Sequence, residues 1–251
     1  MKTYIVSVGT SVITNYKRKY PYKASFDIDD VVGHLRNAFE QKRLEETSAE
    51  IKTLLKAELS PDDNVFLLAT DTDDGIIASH ILKTFITGVL NNRNVKDFSI
   101  KGLQIEDSRE FREKGVRNLL SIIQEIILTE KPSDFYLVVS GGFKAVVPYL
   151  TIAGMLYDIT VLYIFESTDE LIELPPLPIQ FDLSFIESLE EILYKVDSDG
   201  FLSSDDFELF ISGRTDKSKI KLLFSEREGK VYPSEILSLL WQVYKFKYLG
   251  T

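Results

Sequence analysis

Short apolar runs alternate with longer amphipathic stretches along the first two thirds of the chain. The runs are rich in β-branched and aromatic residues, which favour buried strands, and they predict strands at residues 4–8, 65–69, 98–103, 135–139 and 159–165. Between them, apolar positions at helical spacing predict helices at residues 28–39, 47–59, 76–90, 112–129 and 143–156. Residues 16–22, rich in tyrosine and lysine, are expected to form a loop.

Strands that are continuous apolar runs and alternate with helices are typical of a parallel sheet covered on both faces. The pattern therefore predicts a doubly wound α/β domain with a mainly parallel sheet. In such sheets ligands bind outside the carboxyl ends of the strands. We therefore expect the polar loops that follow Val8, Ala69 and Val139 to converge on one edge.

Three prolines within residues 175–178 indicate a boundary, because proline continues neither a helix nor a central strand. We expect one domain at residues 1–174 and a small α+β module at 180–251. The module is predicted to contain helices at 181–196, 204–211 and 234–246 and a hairpin at 219–232, an arrangement that resembles a winged helix. Lys217, Lys219 and Lys221 would then alternate along an edge strand.

Composition excludes several classes of function. The chain has 39 acidic and 29 basic residues and a net charge of −10, which disfavours general binding to DNA or to anionic membranes. It has no cysteine, which excludes disulfides, thiolate-bound metals and a thiol nucleophile. We find neither the features of a signal peptide nor an apolar stretch of the ~18 residues that a membrane helix needs, so we expect a cytoplasmic protein without membrane contact.

The glycine-rich segment Ser140-Gly141-Gly142-Phe143-Lys144 follows a predicted strand directly and precedes a predicted helix. Glycines let a phosphate approach the backbone, the helix N-terminus contributes N–H groups, and a lysine adds a positive charge. The segment is therefore a candidate anion site, although it matches neither a Walker loop nor a dinucleotide fingerprint. A simple helix cap with a solvated Lys144 is the alternative.

Two further strand exits carry polar groups. Gly9-Thr10-Ser11 with Asn15 offers hydroxyls and an amide for a phosphate or a ribose, or forms a plain turn. The loop from Thr70, Asp71 and Thr72 to Gly75 is acidic, but it lacks the spacing of a calcium loop, and Asp73 and Asp74 fit the first turn of a helix. We expect no metal there.

The two histidines and the remaining basic residues do not define a further site. His34 and His80 lie within predicted helices and have no histidine partner four residues away, so we expect no metal site and no cofactor. Residues 17–20, Arg109 and Arg112 could reach over a bound anion or could be solvated.

Three segments together resemble one known family: IVSVGTS at residues 5–11, LLATDTDDG at 67–75 and VVSGGFKAVVPY at 138–149. In this order, at strand exits, they resemble the CARF domain, the CRISPR-associated Rossmann fold, from the first strand to about Phe165. The resemblance implies a Rossmann-like fold and a two-fold homodimer. It also implies that the ligand is cyclic oligoadenylate, the second messenger of type III CRISPR defence.

Proteins of that family differ in the effector that follows the sensor domain. The HEPN ribonuclease effectors need an arginine followed by a histidine after four to six residues, and this arginine is absent before both His34 and His80. The chain looks most like the standalone CARF ring nucleases, which cleave the messenger in the sensor pocket. The resemblance places their functional serine and lysine at Ser11 and Lys144. The ligand-binding residues that it implies are Gly9, Thr10, Asn15, Thr70, Asp71, Thr72, Ser140, Gly141, Gly142 and Phe143.

The expected reaction is metal-independent. A ribose 2′-OH attacks the adjacent phosphodiester, so that a ring, most suitably cyclic tetra-adenylate in a two-fold pocket, yields linear di-adenylate with 2′,3′-cyclic phosphate ends. Two alternatives stay open: a non-catalytic CARF sensor that signals through the C-terminal module, and a nucleotide-dependent enzyme on a generic Rossmann-like sheet.

Overall fold

A six-stranded sheet with the order β3-β2-β1-β4-β5-β6 forms the centre of the N-terminal unit. The computed structural model describes residues 1–23, 25, 27–43, 46–103, 110–130, 134–142, 144–165, 170–178 and 182–250, with the backbone alone at 112 and 113. The strands are β1 (Lys2–Ser7), β2 (Asn64–Thr70), β3 (Asn94–Ile100), β4 (Asp134–Val138), β5 (Thr160–Phe165) and β6 (Glu170–Leu174). The first five strands pair in parallel and β6 pairs antiparallel with β5. This confirms the predicted α/β, mainly parallel fold.

Helices connect the strands and cover both faces of the sheet. They are α1 (Ser11–Lys19), α2 (Ile28–Glu40), α3 (Ala49–Lys56), α4 (Asp73–Gly88), α5 (Val116–Thr129), which follows a π-helical turn at Phe111–Gly115, and α6 (Val147–Leu156), which follows a 3₁₀ turn at Lys144–Val146. Tyr4 and Val6 of β1 pack in one core with residues of α1 to α4. Ile5 between them is also buried, and it faces the other side because side chains alternate along a strand.

The strand order creates a topological switch point between β1 and β4. The chain moves from β1 outward to β2 and β3 on one side, and returns to place β4, β5 and β6 on the other. The connections that leave the carboxyl ends of β1 and β4 therefore run in opposite directions and leave a crevice between them, which is where open α/β sheets bind ligands.

The C-terminal unit, Ile179–Thr251, has a core of its own. Its elements are α7 (Ser184–Glu187), α8 (Glu190–Asp199), β7 (Leu202–Ser203), α9 (Ser204–Ile211), α10 (Lys217–Leu222), β8 (Phe224–Arg227), β9 (Lys230–Pro233), α11 (Glu235–Tyr244) and a π-helical turn at Lys245–Leu249. The three strands form an antiparallel sheet in the order β7-β9-β8. Glu228 and Gly229 both have positive φ at the β8–β9 turn, as a tight hairpin needs.

The structure corrects two predictions of local conformation. The segment 16–22 is not all loop, because α1 continues to Lys19 with Val12, Ile13 and Tyr16 buried at helical spacing. Lys217, Lys219 and Lys221 lie on helix α10 rather than on a strand. The helix is stabilised because Lys217 and Lys221, four residues apart and so on one face, both form ion pairs with Glu208 of α9.

Several boundaries also differ from those expected. Residues 173 and 174 belong to β6, an edge strand that the sequence pattern did not reveal, and the chain turns away only at Pro175. The compact units divide between Pro178 and Ile179. In place of the single helix expected at 181–196, the described residues form two helices, α7 and α8. Strand β3 begins four residues earlier than expected.

Candidate functional site

A cavity of about 730 Å³ lies at the carboxyl ends of β1 and β4, at the switch point. Most of the sequence-predicted site residues meet there. Its described lining consists of Gly9, Thr10, Ser11, Thr14, Asn15, Arg18, Ala49, Val139, Ser140, Gly141, Gly142, Lys144, Val147, Pro148 and Tyr163. Two loops that are more than 120 residues apart in the chain thus form one site.

The two strand-exit loops touch through their glycines. A Cβ atom on Gly9 would lie 2.4 Å from the backbone nitrogen of Gly142, and a Cβ atom on Gly142 would lie 2.1 Å from Ser7 Oγ. Gly142 also has φ of +92°, which disfavours residues with a side chain. Glycine is therefore required at both positions for the loops to approach each other.

The hydroxyl of Ser140 is used inside the protein. Ser140 Oγ accepts a hydrogen bond from Ile164 N–H at 2.8 Å and lies 2.6 Å from Thr53 Oγ1. Thr53 Oγ1 donates to the carbonyl of Ala49 at 2.7 Å, so Ser140 must donate the bond between the two hydroxyls. Because the hydroxyl proton of Ser140 is used in this bond, Ser140 offers its backbone, and not its hydroxyl proton, to a ligand in the cavity.

The cavity carries positive charge in an acidic protein. Arg18 of α1 and Lys144 of the 3₁₀ turn line it, and no acidic residue is among the lining residues that the structure describes. Neither cation has a hydrogen-bond or ion-pair partner within the described part of the chain. Their charges are therefore available to a bound anion, for which an arginine offers a planar fork and a lysine a point charge.

The remaining polar groups suit a sugar or a base. Ser11 and Asn15 lie on the cavity side of α1, and Tyr163 of β5 presents an aromatic ring. Thr14, which the sequence reasoning did not single out, also lines the cavity while its hydroxyl donates to the carbonyl of Thr10. Hydroxyl, amide and aromatic groups next to two cations form a site with the chemistry of a nucleotide pocket.

The loop after β2 does not line this cavity. Thr72 Oγ1 accepts a hydrogen bond from Gly75 N–H and so caps α4, and Thr70 Oγ1 lies 2.8 Å from it. Asp71 Oδ2 accepts from Gly102 N–H at 2.8 Å and joins the exits of β2 and β3. Asp73 lies in the first turn of α4, as expected from its acidic character.

Some predicted residues lie outside the described part of the chain. These are Phe143, Arg109 and the side chain of Arg112. His34 and His80 lie within α2 and α4, as predicted. Among the described residues no group of three acidic or histidine side chains could hold a metal ion.

The sequence reasoning missed Glu50, on the first turn of α3. Its side chain is fully buried, and Oε1 accepts a hydrogen bond from Gly9 N–H at 2.7 Å. Oε2 lies 3.5 Å from Ser11 Oγ. Burial raises the pKa of this carboxyl, and hydrogen bonds from Gly9, its own N–H, Ser48 and Ser11 oppose the increase.

The carboxylate of Glu50 fills the space against the second loop as well. A Cβ atom on Gly141 would lie only 1.8 Å from Glu50 Oε1. The signal in the sequence was a glutamate three and four residues before Thr53 and Leu54, on the buried face of α3. Because an acid in the first turn of a helix is usually a solvated, dipole-stabilising residue, this signal did not stand out.

A second, larger cavity of about 1060 Å³ lies among α1, α2 and α4. Its described lining mixes Asp27, Asp29 and Asp74 with Lys17 and Lys23. The acidic groups make it a poor site for a phosphate-rich ligand, so the smaller cavity is the better candidate for one.

Fold and site together define a Rossmann-like α/β protein with a cationic, glycine-walled cavity at its switch point. Residues 45–177 match the model of a family described as CRISPR-associated protein (Cas_APE2256). The match covers more than half of the chain, and the protein belongs to this family. The matched range includes Glu50 and the loop after β4. It does not include the loop after β1, which precedes residue 45. No curated protein matches the chain. In the part of the chain that the structure describes, no helix has the length and apolar character needed to cross a membrane.

Proposed function

We propose that the protein binds cyclic oligoadenylate in the cavity at the switch point and cleaves it. The observation that carries this proposal is the meeting of Ser11 and Lys144, from distant loops, in one cavity whose described lining has two cations and no acid. The ligand is the one that the resemblance to CARF ring nucleases implies, and membership of a CRISPR-associated family is compatible with it.

The ligand's chemistry fits the residues available. Each nucleotide of the ring carries one phosphodiester charge, which Lys144 and Arg18 offset, and an adenine face that can stack on Tyr163. A ring of four nucleotides presents two equivalent halves, and a two-fold homodimer offers two such cavities to it. We therefore propose cyclic tetra-adenylate as the ring and a homodimer as the active form.

The reaction needs little from the protein beyond position and charge. The ribose 2′-oxygen attacks the adjacent phosphorus, the 2′-O–P bond forms, the P–O5′ bond breaks, and a 2′,3′-cyclic phosphate results. Lys144 and the N–H groups of Gly141 and Gly142 stabilise the charge that develops on the phosphoryl oxygens, and Ser11 holds the 2′-OH in line. The amide of Gly9 takes no part, because it is bonded to Glu50.

The experiment is to incubate the purified protein with cyclic tetra-adenylate in EDTA and to separate the products by liquid chromatography with mass detection. We expect linear di-adenylate with a 2′,3′-cyclic phosphate. Tight binding with an intact ring would contradict the enzymatic proposal and favour the sensor alternative. Absence of binding to cyclic rings of four and of six adenylates would contradict the ligand itself.

A further inference from the structure

The buried carboxylate of Glu50 needs a physical explanation that ordinary packing does not give. Removing a carboxylate from water costs several kcal/mol, which hydrogen bonds only partly offset. The residue is 0 % exposed, although a first-turn position on a helix would normally let it reach solvent. A glutamine would fill the same space and accept the hydrogen bond from Gly9 N–H, but only a carboxylate accepts on both oxygens, as the bonds from Gly9 to Oε1 and from Ser11 to Oε2 require.

The two oxygens of this carboxylate have different tasks. Oε1 accepts from Gly9 N–H and packs against Gly141, so it joins the two strand-exit loops. Oε2 lies next to Ser11 Oγ, the hydroxyl that the proposed reaction places at the attacking ribose. Glu50 does not itself line the cavity, and its route to a ligand is through Ser11.

We propose that Glu50 is a positioning residue that orients the Ser11 hydroxyl and accepts, through it, the proton of the attacking ribose 2′-OH. This inference rests on the proposed function. As the 2′-O–P bond forms, the 2′-OH proton moves to Ser11 Oγ and the Ser11 proton moves to Glu50 Oε2. The leaving 5′-oxygen takes a proton from solvent, and Glu50 later releases its own to solvent, so the proton balance closes.

The surroundings of Glu50 suit this role. Burial raises the pKa of its carboxyl, which brings it closer to the range in which a general base is effective near neutral pH. The described lining of the adjoining cavity has two cations, Arg18 of α1 and Lys144 after β4, together with Tyr163 of β5, and no acidic residue. Positive charge near a carboxyl favours the ionised form that the step requires. The Oε2–Oγ distance of 3.5 Å is long for a hydrogen bond, as is common in active sites without ligand.

The test compares Glu50→Gln with Glu58→Gln in the full-length protein, with cyclic tetra-adenylate as the probe. Glu58 is exposed just beyond the end of α3 and outside the cavity lining, so its substitution removes the same charge and should change the rate by less than about twofold. For Glu50→Gln we expect single-turnover cleavage to fall by about 10²-fold or more. Affinity for the ring should be preserved, because Glu50 does not line the cavity. The melting temperature measures separately any loss of the hydrogen bonds that the carboxylate accepts.

The pH profile separates a proton acceptor from a structural support. The wild-type rate should rise with pH through a pKa above the usual 4.5 of a glutamate, and this acidic limb should be absent from Glu50→Gln. The double variant Ser11→Ala with Glu50→Gln should be no slower than the slower single variant, because both changes break one relay. If Glu50→Gln does not fold, Ser11→Ala alone must still lose the acidic limb.

The outcomes separate the two proposals. If the wild type cleaves the ring and Glu50→Gln cleaves it at the same rate with the same pH profile, Glu50 only supports the loops and the relay is wrong. Additive losses in the double variant would have the same meaning. If the wild type binds the ring and leaves it intact, the proposed function is wrong, and the relay with it.

Discussion

At the scale of single residues, the proposed reaction depends on the charge of Lys144. Its ammonium has no partner among the described residues, lines the cavity and follows Gly142 closely in the chain. The proposed reaction uses it at the phosphoryl oxygens, where it stabilises the transition state more than the bound ring.

We predict that Lys144→Ala reduces cleavage of cyclic tetra-adenylate by about 10²-fold or more, as loss of an oxyanion-stabilising group does. Binding should weaken less, and the slope of log affinity against log salt should become shallower by about one unit, because one phosphate contact is lost. Single-turnover kinetics and binding titrations at several salt concentrations measure both. Lys56→Ala, an exposed lysine on α3 outside the cavity lining, is the matched control. Equal rates for Lys144→Ala and Lys56→Ala would remove Lys144 from the mechanism.

Position 141 requires glycine because of the Glu50 side chain more than because of its own backbone conformation. A Cβ atom there would lie 1.8 Å from Glu50 Oε1 and 2.2 Å from Cδ of the same side chain. The carboxylate is already held on its other side by Gly9 N–H, so it has little room to move.

We predict that Gly141→Ala lowers the free energy of unfolding by roughly 1–3 kcal/mol, the usual penalty for overpacking, and abolishes cleavage by separating the loops. Gly33→Ala is the contrasting variant. Gly33 lies inside α2 with nothing within 4 Å of an added Cβ atom, so alanine there should stabilise the protein by about 0.5–1 kcal/mol. Chemical denaturation of both variants measures the difference. A Gly141→Ala protein with unchanged stability and activity would show that Glu50 can move aside.

At the scale of elements, sequence pattern predicted best where a segment is apolar throughout. The run at 65–69 became β2 within one residue at each end, because all of its side chains are buried and both faces of the sheet are covered. Helix α1 was missed because its three buried residues precede the charged sequence Lys17-Arg18-Lys19, whose polarity dominates a short window. Edge strand β6 was missed because all five of its side chains are exposed or half-buried.

The site residues that could be predicted are those recognisable from the local sequence, and those that could not depend on contacts with distant parts of the chain. The loops after β1 and β4 could be predicted because each follows a strand directly, and their convergence follows from a parallel sheet. Exclusion of the loop after β2 could not be predicted, since it depends on the strand order, which puts the switch point between β1 and β4 and not between β1 and β2. Glu50 could not be placed either, because its contacts join residues 41 and 91 positions away in the chain.

Helix α11 offers a prediction about capping in the C-terminal unit. Ser234 precedes the helix, and its Oγ accepts a hydrogen bond from Leu237 N–H at 3.2 Å. Ser234→Ala should therefore lower the stability of this unit by about 1 kcal/mol, while Ser234→Asp, which can accept the same bond, should retain most of it. Urea denaturation followed by the fluorescence of Trp241, which lies on α11, measures the loss. Equal losses in both variants would show that the hydroxyl contributes by packing and not by capping.

At the scale of the whole molecule, the two units provide separate probes. The chain has a single tryptophan, Trp241. It is 3 % exposed in the core of the C-terminal unit and donates a hydrogen bond to Asp197 at 2.7 Å. Its emission should change when that unit unfolds. Far-ultraviolet circular dichroism reports both units, most strongly the larger N-terminal one.

We predict that cyclic tetra-adenylate, bound to the slowly cleaving Lys144→Ala variant, stabilises the N-terminal unit alone. A ligand stabilises the cooperative unit that binds it, by about 2.7 kcal/mol at a concentration 100-fold above its Kd, and each unit has a core of its own. The main dichroism transition should move to higher urea, and the Trp241 transition should stay in place. Ser234→Ala should instead move the Trp241 transition to lower urea and leave the main dichroism transition in place. If the ring moved both transitions together, the units would unfold as one, and a ligand at the switch point could then act on the C-terminal unit through their shared stability.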